Sequence, residues 1–189
     1  MKERWATCAL GAWLMGSVIM ITVATKNFRV VDELLQGSEN ASFRLLIQQW
    51  GPAPTRELLR YLSSELNREY FQLWNVAQAA LGALAFWLIK GEPAQRQARA
   101  LIVGAWLVVI AMLVSMTPMI TSIGRSLDFV PRDPPPPALA RFWILHVAYT
   151  VLELAKLGAL ALAAFWIARG RGPGRVTPGG SALAPVARQ

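Results

Sequence analysis

Three stretches of this chain, residues 5–25, 71–89 and 100–123, contain no Asp, Glu, Lys or Arg. Each is close to or above the roughly 20 residues that a helix needs to cross a hydrocarbon layer of about 30 Å. Lipid offers no partners to backbone N–H and C=O groups, so a crossing segment must satisfy them itself as a helix or join a closed barrel. Unbroken apolar runs of this length select helices. A fourth stretch, 142–168, is interrupted by Glu153 and Lys156, yet neither side of the interruption is long enough to cross alone, so the whole is read as one span. The chain is therefore expected to be all-α, a four-helix transmembrane bundle over residues 1–168. Residues 169–189 lack any apolar period and are expected to form a disordered basic tail. A hydrophobic content of 54% and a mean hydropathy of +0.38 agree with an integral membrane protein.

The formal net charge is +8, which by itself would suit nucleic acid. The basic residues flank apolar spans instead of forming an aromatic-interleaved patch, so membrane topology accounts for them and no nucleic-acid partner is expected. They are denser at the amino terminus, in the second loop and in the tail than in the first and third loops. That density predicts both termini in the cytoplasm, with the bilayer as the main partner and anionic lipid headgroups drawn to the tail. The first run follows Lys2 and Arg4 as a signal peptide would, but it is longer than the usual 7 to 15 apolar residues of such a leader and is read as a retained helix. Trp5, Trp87 and Trp166 mark one interface and Trp74 and Trp143 the other. The single cysteine, Cys8, has no internal partner and is read as a packing residue.

The first loop carries its own helical pattern. Val30, Val31, Leu34 and Leu35 continue the first helix to Gly37, and after Pro52 and Pro54 the residues Leu58, Leu59, Leu62 and Leu66 recur at helical spacing. This predicts an amphipathic helix lying on the bilayer or over the bundle and running into the second span. In the third loop, Pro134 to Pro137 impose a stiff strap, so the last helix should begin near residues 138–141.

Chemistry is concentrated in the fourth run. His146, Tyr149, Glu153 and Lys156 are spaced by three, four and three residues, which sets all four on one helical stripe. Ionisable side chains at mid-membrane cost about 2.5–3.5 kcal/mol or more, and they mark proton, ion or substrate pathways unless they neutralise one another. Both readings stand for Glu153 and Lys156. Counting depth from the same membrane face brings Asn75 level with His146, Gln78 level with Tyr149, and Ser115 to a similar depth. The expected polar pocket is thus Asn75, Gln78, Ser115, His146, Tyr149, Glu153 and Lys156. Small residues, among them Gly11, Ala12, Gly16, Gly82 and Ala163, predict close helix contact, mostly in the opposite half. His146 with Met112 and Met116 forms the alternative, a copper site of imidazole and thioether or a haem ligand. Nucleophile elbows, phosphate loops and zinc motifs are lacking, which argues against an enzyme.

Tyr70-Phe71 before the second span, Thr117-Pro118-Met119-Ile120 ending the third, and Arg141-Phe142 followed by His146 opening the fourth give the chain an order of landmarks that resembles the transmembrane protein 205-like family. That resemblance implies a small four-helix membrane protein of a domain type without an established activity. In outline the chain is also similar to the copper-resistance D type of membrane proteins, which implies haem or copper binding as the alternative. The expected role is a non-enzymatic inner-membrane module of a bacterium, without a cofactor. It would bind or pass a small solute or proton, or support an assembly with a membrane partner protein or a second copy.

Overall fold

A computed structural model describes residues 1–169; the expected basic tail, apart from Arg169, lies outside the described residues. The described residues are helical apart from short connections, with no strand among them. It forms α1 (Lys2–Gly37), α2 (Ala41–Trp50), α3 (Pro52–Ile89), α4 (Arg96–Ser126) and α5 (Pro137–Arg169), with one tight turn at Pro93–Gln95 joining α3 to α4. Helices α1, α3, α4 and α5 are each long and apolar enough to cross a membrane, as the four runs require.

With 36 and 38 residues, α1 and α3 extend about 54 and 57 Å at 1.5 Å per residue, well beyond a hydrocarbon layer of about 30 Å. They pack together along a long interface and continue outward as a two-helix post. The segment after Pro52 therefore stands against α1 and does not lie flat on the bilayer. Its buried residues, Thr55, Ser63 and Asn67, show why. Asn67 accepts from Asn27 Nδ2 at 2.6 Å and donates to the Ala24 carbonyl at 3.1 Å, and Ser63 donates to the Asn27 carbonyl at 3.4 Å. Small polar side chains face α1, while Leu58, Leu62 and Leu66 stay exposed on the other side. The separate helix α2 was not legible from the apolar pattern. Asn40 caps it, accepting from the Phe43 N–H at 3.0 Å, and Gly51 ends it at φ 86°, a conformation open to glycine that turns the chain into Pro52.

The core occupies the half of the bundle nearest the termini. Leu10 and Trp13 of α1, Ile89 of α3, Ile102 and Val109 of α4, and Leu160 and Ile167 of α5 are fully buried there. Glycines admit the indoles between helices at two points. A Cβ on Gly16 would overlap the Trp74 ring, and one on Gly82 would overlap both Trp106 and Trp13. Gly11 and Ala12, expected at such a contact, face outward instead. Helix α5 starts at Pro137, slightly earlier than the strap suggested, because proline is well suited to the first helical position.

Helix α4 is not regular. Pro118 has no N–H to donate, and just before it the Thr117 N–H reaches back five residues to the Met112 carbonyl, widening the turn over Met112–Met116. The residues beyond that turn are rotated relative to an ideal helix. Thr117 consequently faces the bundle, and Ser115 does not.

Candidate functional site

Lys156 lies at the centre of the bundle and is 1% exposed. Its ammonium group has three N–H donors, and three side-chain oxygens surround it: Glu153 Oε1 one turn before it, Gln78 Oε1 of α3, and Ser17 Oγ of α1 at 3.3 Å. All three donors are engaged. The carboxylate is less well served, because Glu153 Oε2 is buried and has no hydrogen-bond partner among the described residues.

From this pair a chain of oriented hydrogen bonds runs towards the loops. Gln78 must turn its oxygen to Lys156, and the same oxygen accepts from Trp13 Nε1 at 2.9 Å. Its amide nitrogen is thereby directed outward and donates to Asn75 Oδ1 at 3.2 Å. Asn75 repeats the pattern, with Nδ2 donating to Thr117 Oγ1 at 2.7 Å and Oδ1 also accepting from the Tyr149 hydroxyl at 3.3 Å. A single requirement, an acceptor for Lys156, fixes both amides. Asn75 and Gln78 are both fully buried.

Thr117 and Tyr149 end this chain at a cavity of about 140 Å³. Phe28, Phe71 and Phe142 supply aromatic walls, and Thr121, His146 and Arg68 reach it from three helices. The cavity sits where α3, α4 and α5 approach the first and third loops. Its rim is held by charge: Arg68 pairs with Asp128 at 2.9 Å and with Glu65, and Arg125 pairs with Glu65 at 3.0 Å.

Glu65 belongs to the outer part of α3, before the apolar span. Its hydrogen bond to Arg125, opposed by partial burial and helped by Arg68, holds its carboxyl below the usual range. A depressed carboxyl contributes stability that is complete above its unfolded value and is lost as pH falls through the folded one. Thermal unfolding in detergent should thus shift to lower temperature in acid below about pH 4.5. Glu65→Gln should remove that acid-dependent component; an unchanged acid profile would refute the assignment. The Arg125 contact is half-exposed and should weaken with salt.

The structure assembles Asn75, Gln78, Tyr149, Glu153 and Lys156 in one network, as the stripe suggested. Ser115 is not part of it: the residue is exposed and its hydroxyl donates to the Ala111 carbonyl at 2.6 Å, the widened turn having carried Thr117 into its role. His146 is exposed and not beside Asn75. Its ring stacks on Phe142 with centroids 5.7 Å apart and meets Trp143 edge-on at 5.9 Å. Asn75 meets Tyr149, one position further along the stripe. Met112 is buried and Met116 half-buried, and neither borders the cavity that His146 lines. Among the described residues no group of three or more His, Cys, Asp or Glu converges as a metal site would require.

Trp13, Ser17, Thr117 and Arg68 are the members that sequence reasoning did not assign. A tryptophan and a serine well inside the first apolar run were the available signals for two of them. No family model, curated protein or solved structure matches the chain.

Proposed function

We propose that this protein is a non-enzymatic, transport-related membrane module that receives a small solute in the cavity and holds an exchangeable proton at Glu153. The observation that carries this reading is the buried, unpartnered Glu153 Oε2 beside a fully engaged Lys156. Lys156 balances the carboxylate charge, and the bare oxygen is the basic position left over. Tyr149, one helical turn from Glu153 on the same stripe, lines the cavity and is the nearest link between the carboxylate and the outside. Charged groups at this depth serve proton and solute pathways in membrane proteins. The apolar core on the terminal side supports access from the loop side alone. With both termini in the cytoplasm of a bacterium, the cavity would open to the far side of the inner membrane.

Infrared difference spectra of the protein in lipid, recorded between acid and alkaline buffer, test the assignment. A protonated-carboxyl band that disappears in Glu153→Gln is the expected result. Equal spectra for the two proteins would sink it, since the exchanging group would then lie elsewhere.

A further inference from the structure

The cavity has a size and a chemistry that narrow its occupant. We infer that it binds a phenol-class solute, a single aromatic ring carrying one hydrogen-bonding oxygen. This deepens the reading of the cavity as a solute site and rests on it.

The volume of about 140 Å³ is close to the roughly 150 Å³ of an apolar protein cavity that accepts one benzene molecule. One ring fills that volume, and a fused polycycle would extend beyond it. The walls suit a ring as well, because Phe28, Phe71 and Phe142 come from three different helices and offer faces and edges to an aromatic guest. The cavity also lies at the level of the loops, where amphipathic rings with one apolar body and one polar tip are at home.

Polar groups at the cavity call for an oxygen that can both accept and donate. The Thr121 hydroxyl makes no hydrogen bond among the described residues. Thr117 Oγ1 accepts from Asn75 and is also paired with the Tyr149 hydroxyl, so Thr121 carries the open position. Neither a carboxylate nor an ammonium suits the site equally well. Arg68, the only cation lining the cavity among the described residues, is already claimed by Glu65 and Asp128. An incoming anion would have to compete with those carboxylates for the guanidinium. Among the described residues no carboxylate lines the cavity to receive a cation. A neutral hydroxyl on a ring meets none of these objections.

The probe is 4-fluorophenol, followed by fluorine NMR with the full chain in detergent micelles. Partition into micelles rises linearly with concentration, so a saturable component reports the site. That component is expected for the wild type, weaker for fluorobenzene and missing for 4-fluorobenzoate. Thr121→Val keeps the shape and removes the hydroxyl, and should weaken 4-fluorophenol binding about threefold to tenfold. Thr121→Phe should fill the cavity and abolish the saturable component. Linear partition alone, binding of 4-fluorobenzoate as tight as that of 4-fluorophenol, or unchanged binding in both Thr121 variants would each overturn the inference. The Glu153→Gln variant separates it from the proton reading. If that variant loses the carboxyl band but the wild type shows no saturable phenol signal, the ring proposal alone falls, and if the wild type binds 4-fluorophenol saturably but its spectra equal those of the variant, the proton assignment alone falls.

Discussion

Replacing Lys156 with methionine is expected to destabilise the folded protein by about 3–5 kcal/mol, the cost of leaving a buried charge without its partner. The side chain is enclosed, and its ammonium is the only group bonded to Glu153 Oε1 among the described residues. Methionine matches the volume of lysine closely, so little of the loss comes from packing. The diagnostic comparison is the double variant Glu153→Leu/Lys156→Met. Removing both charges together should recover most of the lost stability, because a buried ion pair contributes little beyond an apolar replacement of similar shape. Reversible unfolding of the wild type, both single variants and the double variant in detergent gives the coupling energy. A double variant as unstable as the sum of its parts would mean that the two residues act independently.

Gly82→Val carries the second large effect, a loss of about 1–3 kcal/mol from overpacking. The first added carbon would overlap Trp106 and Trp13, and neither indole can withdraw freely. Trp106 Nε1 donates to the Ala79 carbonyl at 2.8 Å, and Trp13 Nε1 donates to Gln78. Shifting Trp13 would disturb the amide that holds Lys156, so the effect should be non-additive with Lys156→Met. Gly104→Val is the control: no atom stands near that position, and its stability should change little. Equal stabilities for Gly82→Val and the wild type would show that the two indoles are not wedged as described.

The fold was legible because lipid imposes a strict grammar. Runs without charge over about 20 residues leave the backbone little choice but a helix, and all four spans lie within the observed helices. The stripe from Tyr149 to Lys156 was equally readable, since burial of ionisable groups in a bilayer demands partners and helical spacing sets their direction. What escaped was side-chain reach and helix rotation. Asn75 meets Tyr149 and not His146 because a long helical side chain leans towards the helix N-terminus and covers the turn before its own Cα. Ser115 was assigned a position that Thr117 holds, since a period of 3.6 residues cannot be carried across a turn that bonds over five. Leu58, Leu62 and Leu66 alone give the outer part of α3 as an amphipathic helix on the bilayer or over the bundle, whereas Ser63 and Asn67 mark the face that meets α1. Apolar residues in a membrane protein mark the lipid as readily as the core, and here the polar ones identified the buried face.

The widened turn at Met112–Met116 has a genetic corollary. It contains one residue more than an α-helical turn closes over, so deleting a single residue there would return the helix to ordinary winding. The Thr117 N–H would still meet the Met112 carbonyl, now over four residues, and everything after the turn would keep its direction. Thr117 and Thr121 would stay at the cavity wall, whereas the same deletion in the regular winding of Arg96–Ala111 would swing them about 100° about the helix axis. The widened turn is therefore the stretch of α4 where loss of one codon should disturb the cavity least.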